Sequence, residues 1–135
     1  MSNFFKYNFK IYYEDTDAGG VVYYANYLKF LERARSEAIN SLGFSNTDLK
    51  KDYGILIIVK SCNIEYIKPA IFEDNLIVIS SINHISKTSF KMKQEIKRND
   101  ELIASSNIHL VIVNQSGKPI LIPDKLKNLL NKYIN

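Results

Sequence analysis

The chain's hydrophobic patterning predicts an α+β domain, with one long helix packed on an antiparallel sheet. Three observations carry that expectation. A period-two segment at the N-terminus gives way to one long segment of helical period, and four strand-like runs follow it. The links between those runs are short, so consecutive strands pair antiparallel and the single long helix covers one face. The 135 residues amount to about one domain's worth of chain, read as a single domain over 1–135.

The elements follow in order. Phe5, Tyr7, Phe9, Ile11 and Tyr13 alternate with Lys6, Asn8, Lys10 and Tyr12, the period of a strand with one buried face. Carboxylates and paired glycines from Glu14 to Gly20 mark the loop that ends it. Tyr27, Phe30, Leu31, Ala34, Ala38 and Leu42 then fall at helical spacing, with Asn26 placed to cap the start and Gly43 to close the end. A polar stretch from Ser45 to Tyr53 has room for one short helical turn starting at Asn46 or Thr47.

Ile55 to Ile67 reads as a strand whose Ile55–Val59 portion is apolar on both faces, as an interior strand is, and Pro69 ends it. Leu76–Ile85 and Ser89–Lys97 follow, and Asn99-Asp100 makes a tight turn into Leu102–Val113. Pro123 and Asp124 open a short amphipathic C-terminal helix carrying Leu126, Leu129, Leu130 and Tyr133. One long helix leaves the sheet edges uncovered, which predicts pairing between chains as a homodimer.

Composition excludes several classes. The sequence is 46% hydrophobic and 24% charged, with five Gly and three Pro, unlike a disordered chain. Its longest apolar runs, Val21–Ala25 and Ile55–Val59, fall far short of the ~20 residues a membrane span needs. The N-terminal segment has no apolar stretch of the kind that directs secretion. A single cysteine, Cys62, rules out an internal disulfide and a multi-cysteine zinc site, and suits a reducing cytoplasm. The net charge of +4 rests mostly on lysine, with only Arg33, Arg35 and Arg98 as guanidinium, so nucleic-acid readout is disfavoured. Cys62 reads as a small core residue. His84 and His109 read as ordinary strand histidines, having no third ligand at metal spacing.

One segment is chemically unusual. In Tyr13 to Tyr27, three carboxylates lie within four residues beside paired glycines and a helix start, with four tyrosines close by. Glycines admit a ligand to the backbone, and a helix start offers unpaired N–H donors suited to an oxyanion. A solvated turn is the plain alternative. The aromatic run that continues into the helix favours a pocket.

The stretch YYEDTDAGGVVYYANYLKFLERAR resembles the signature of hotdog-fold acyl-CoA thioesterases of the 4-hydroxybenzoyl-CoA thioesterase-like superfamily, in the branch associated with the bacterial Tol–Pal envelope system. Gly117-Lys118-Pro119 and Ile122-Pro123 agree more loosely. The resemblance implies a hotdog fold, an antiparallel sheet wrapped around one long central helix. It also implies subunits joined sheet edge to sheet edge as a dimer or tetramer, with the active site at their interface and neither metal nor cofactor required. Asp17 matches the catalytic carboxylate, acting as nucleophile or as general base for water. Tyr13, Gly20, Val22, Tyr24, Asn26 and Tyr27 line the thioester's place, with N–H groups around Val22–Ala25 as oxyanion donors. Lys87, in the turn Ser86–Ser89, is a candidate contact for a coenzyme A phosphate, ahead of Lys91, Lys93, Lys97 and Arg98.

This chain departs from the branch's pattern in carrying Tyr24 where that pattern has His. A phenol can donate a hydrogen bond but is a poor base at neutral pH. The carrier, coenzyme A or acyl carrier protein, stays open, as does the acyl chain. A non-hydrolytic acyl carrier or envelope-linked interaction protein of the same fold is the alternative function.

Overall fold

The computed structural model describes residues 3–135. In chain order the elements are β1 (Phe5–Lys10), α1 (Asn26–Ser41), α2 (Asn46–Tyr53), β2 (Leu56–Tyr66), β3 (Asn75–Ile85), β4 (Ser89–Arg98), β5 (Glu101–Val113) and α3 (Asp124–Asn131). The architecture is α+β, and the five strands form one sheet in the order β1-β3-β4-β5-β2. Every neighbouring pair is antiparallel.

One sheet face is apolar because alternate residues share it: Val78 and Ile82 on β3, Phe90, Met92 and Ile96 on β4, Ala104, Ile108 and Leu110 on β5, all buried. The buried stripe of α1, from Tyr27 through Phe30, Leu31 and Ala34 to Ala38, belongs to the same two core clusters. Each fully buried large side chain contributes roughly 1.5–3 kcal/mol. Gln94 is the polar exception at the centre of β4. Its Nε2 donates to the Leu31 carbonyl and to Ser80 Oγ, both at 3.1 Å, which ties the middle of α1 to the sheet. Ser45 caps α2 by accepting the Asp48 N–H, while the Asp48 carboxylate accepts the Ser45 N–H in return. Asn99 takes a positive φ of 54° in the tight β4–β5 turn.

The structure corrects four sequence expectations. β1 stops at Lys10, and Tyr13–Asp15 form a 3-10 turn instead of extending the strand. The Asp15 carboxylate accepts the Tyr12 N–H at 2.8 Å, so local turn bonding outcompetes the alternation. Tyr13 is consequently 77% exposed and stacks on Phe72. β2 is not interior but an edge strand, and Ile58 and Val59 are 45% and 48% exposed. Cys62, on that edge, is exposed and not in the core. Asn26 is the first residue of α1 and not its cap: Ala25 holds the cap position without a side-chain bond.

Candidate active site

The loop between β1 and α1 is fixed by its own backbone. The Asp17 N–H donates to the Val21 carbonyl at 2.9 Å and the Gly20 N–H to the Asp17 carbonyl at 3.0 Å, closing a tight turn in which Gly20 has φ +81°. Asp17 Oδ1 accepts the Gly19 N–H at 2.8 Å. A Cβ at Gly19 would stand 3.2 Å from that same oxygen, so glycine there leaves the carboxylate its place. The Asp17 side chain is exposed in the single chain.

Asn26 does its work backwards along the sequence. Its Nδ2 donates to the Asp15 carbonyl at 2.9 Å, and the Tyr23 N–H donates to the same oxygen at 3.0 Å. The acidic loop is thereby held against the start of α1. The Val22 N–H is spent on the Ala70 carbonyl at 2.8 Å. Of the N–H groups from Val22 to Ala25, those of Tyr24 and Ala25 form no hydrogen bond among the described residues. They are unspent donors at the helix mouth, a place whose free N–H groups suit a negative oxygen in general.

The segment 69–74 packs over this loop and is itself clamped. The buried Tyr27 hydroxyl accepts the Ala70 N–H at 3.1 Å. Arg98 reaches across from the end of β4 to Asp74 at 2.6 Å and to Glu101 at 2.5 Å, and donates to the Pro69 carbonyl. Asp74 Oδ2 also accepts the Ile71 N–H. Arg98 thus clamps the 69–74 segment to the end of β4, its guanidinium engaged by two carboxylates. Hydrogen bonds to Glu101 and Asp74 hold its guanidinium above the ordinary value.

Beside the loop, Val22, Tyr24, Tyr27, Tyr66, Ile67 and Lys68 line an open depression of about 260 Å³. Nothing in its local sequence marks Tyr66 as a site residue, although it shares a β2 face with Ile64. Its hydroxyl donates to the Tyr24 carbonyl at 3.2 Å, and its ring meets Tyr27 edge-on at 5.2 Å. Burial pushes the phenols of Tyr27 and Tyr66 above the usual tyrosine range, so both stay neutral. Tyr24, 63% exposed, presents its ring on the rim.

Gly20, Val22, Tyr24, Asn26 and Tyr27 therefore gather with Asp17 at one end of the sheet, and Tyr13 lies on its outside. Lys87 does not join them. β1 runs antiparallel to β3 with Lys10 opposite Asn75, so the turn after Ile85 lies at the opposite end of the same chain. Among the described residues, no group of three His, Cys, Asp or Glu could hold a metal ion, and no helix is long and apolar enough to cross a membrane.

A helix-backed antiparallel sheet with an acidic turn and free amides at the helix mouth suits work on a polarised carbonyl. Residues 19–105 match the family model described as the thioesterase superfamily, and the chain belongs to that family. The match begins just beyond Asp17. Among characterised proteins, the chain is similar to the acyl-CoA thioesterase YbgC of Haemophilus influenzae, 33% identical over 128 residues that cover 94% of each chain. It is similar also to the acyl-CoA thioesterase YbgC of Helicobacter pylori, 36% identical over 90% of this chain and 96% of the other. A solved structure, a probable thioesterase from Bartonella henselae, superposes with a TM-score of 0.85 at 31% identity, over 90% of this chain and 100% of that one.

Proposed function

We propose that this protein hydrolyses the thioester of an acyl-CoA, adding water across the carbonyl–sulfur bond to give the free acid and coenzyme A. The observation that carries the reading is the tight turn that presents an exposed Asp17 on the loop leading into the start of α1, where the Tyr24 and Ala25 amides are unspent. The relatives' names support coenzyme A as the carrier. A thioester is electrophilic and its thiolate leaves readily, so one carboxylate suffices, either attacking the carbonyl or taking a proton from water. The two amides accept the charge that develops on the carbonyl oxygen. One such donor is worth roughly 3 kcal/mol, about a hundredfold in rate.

Two copies complete the site by pairing their β2 edges about a two-fold axis, each sheet curling around its α1 in the hotdog manner. The exposed Ile58 and Val59 support that pairing, since an apolar, uncovered edge strand invites another chain. Antiparallel pairing sets the Tyr66 end of one β2 against the Leu56 end of the other. The turn carrying Lys87 of the partner subunit thereby approaches the Asp17 end, where it can meet a phosphate. The lone cysteine fits work in the cytoplasm.

The test is release of free thiol from acyl-CoA, followed with a thiol reagent. Asp17→Ala and Asp17→Asn are expected to lower turnover roughly 10²–10⁴-fold with an unchanged unfolding midpoint. Near-normal turnover in either variant would remove Asp17 from the mechanism. A wild-type protein that releases no thiol from any acyl-CoA would remove the hydrolase.

A further inference from the structure

A second cavity, of about 140 Å³, lies between α1 and β2, towards the other end of the sheet from Asp17. Ile39, Ile57, Val59, Phe90, Met92 and Leu110 make most of its walls apolar, and Arg35 lines it together with the exposed Glu32 and the polar Ser36 and Asn46. Arg35 is half-buried and has no carboxylate partner among the described residues. Its Nη1 donates to Gln94 Oε1 at 3.0 Å, a neutral acceptor. Gln94 is itself fully buried, and its amide nitrogen is spent on Leu31 and Ser80, so its oxygen is fixed in position to hold the guanidinium. Glu32, one helical turn earlier, makes no ion pair with Arg35, and its carboxylate accepts the Ser36 hydroxyl at 3.4 Å.

A guanidinium has five N–H donors, and taking it out of water without a counter-charge costs several kcal/mol in general. Burial does pull Arg35 below the ordinary arginine value. A cation braced by a buried amide at the wall of a mostly apolar cavity, its neighbour Glu32 exposed and not paired with it, matches a guest with an apolar body and an anionic tip. A closed cavity of about 150 Å³ holds one benzene ring, so the enclosed part of this partly open one, about 140 Å³, suits a chain of a few carbons.

We infer that this cavity receives the far end of the acyl group, and that Arg35 selects short acyl groups ending in a carboxylate. The inference rests on the hydrolase reading and on the two-fold pairing of β2. Ile57 and Val59 lie towards the Leu56 end of that strand and the acidic loop of the same chain at its Tyr66 end. Pairing therefore sets the cavity of one copy beside the Asp17 loop of the other.

The experiment compares glutaryl-CoA with pentanoyl-CoA, equal in carbon number and different only at the tip, with palmitoyl-CoA as the size control. Wild-type kcat/KM is expected to favour glutaryl over pentanoyl about tenfold or more, with palmitoyl poorest. Arg35→Met should lower the glutaryl-to-pentanoyl ratio roughly tenfold to a hundredfold, chiefly through KM, and Arg35→Lys should restore part of it. Free glutarate, but not pentanoate, should shift the Arg35 Nε–Hε resonance of the wild-type protein, a readout independent of turnover. Thiol release with an unchanged ratio in Arg35→Met, or a preference for palmitoyl-CoA, overturns the inference and leaves the hydrolase standing. An Arg35→Met protein that elutes as a monomer also overturns it, assigning the guanidinium to subunit contact. No thiol release from any substrate sinks the hydrolase reading instead, and the glutarate resonance shift then decides the cavity alone.

Discussion

At the end of the sheet remote from Asp17, side chains from every layer pack mainly as hydrocarbon, Phe5, Phe90, Leu110 and Ile112 from the strands, Ile39 from α1, Leu126 and Leu130 from α3, with Arg35 and Gln94 as the polar pair beside them. At the Asp17 end the apolar cluster includes Ile11, Val22, Tyr27, Phe30 and Ala70, and directional bonds hold what surrounds it. Tyr27 grips Ala70, Asn26 grips Asp15, and Arg98 grips Asp74 and Glu101. The contrast has a physical reason. A site must leave amides and a carboxylate open to a ligand, so that end cannot be sealed with hydrocarbon. Hydrogen bonds fix its geometry at lower burial.

Each end should then fail in its own way. Leu126→Ala, at a wholly buried position, is expected to cost about 2–5 kcal/mol in urea unfolding while the folded fraction keeps its kcat/KM. A loss of activity beyond the unfolded fraction would show that the two ends are not separable. Tyr27→Phe removes only an oxygen but strands the buried Ala70 N–H, so about 1–3 kcal/mol is expected. Despite the smaller stability loss, this variant should lower kcat/KM more than Leu126→Ala, because the 69–74 segment shifts over the acidic loop. The smallest effect belongs to Glu101→Gln. Hydrogen bonds from Lys68 and then Arg98 hold the Glu101 carboxyl below its ordinary value. That contribution is present above the unfolded glutamate pKa and is lost as pH falls through the folded one. The Tm gap between wild type and Glu101→Gln should therefore close on titrating from pH 7 to acid. A gap constant down to pH 3 would deny the ion pair any role.

Much of this was legible in the residues. The 3.6-residue spacing from Tyr27 to Ala38 located α1, Gly43 its end, and the alternation Phe90-Met92-Gln94-Ile96 the inward face of β4. Apart from the local turn at Tyr13–Asp15 and the cap of α1, the failures share a cause, which is distance along the chain. Ile55–Val59 reads as interior because nothing local tells an edge meant for a neighbour from a strand flanked on both sides. Arg98 sits in a lysine-rich run and looks solvated, but its partner Asp74 lies 24 positions away. The acidic loop was conspicuous because its chemistry is contiguous. Tyr66 and Arg35 were not, because their meaning depends on what the fold brings opposite them.

β2 offers eleven residues of ladder on a flank that no other strand among the described residues occupies, with a bulge at Lys60 where its register with β5 slips. Unused peptide groups in such a row are a template, indifferent to whose backbone fills them. A newly made copy that has not met its mate is therefore at its most hazardous, open to stray strands and to precipitation on warming. Solubility and correct assembly become one problem, and a charge placed at Ile58 would protect the lone chain while depriving it of company.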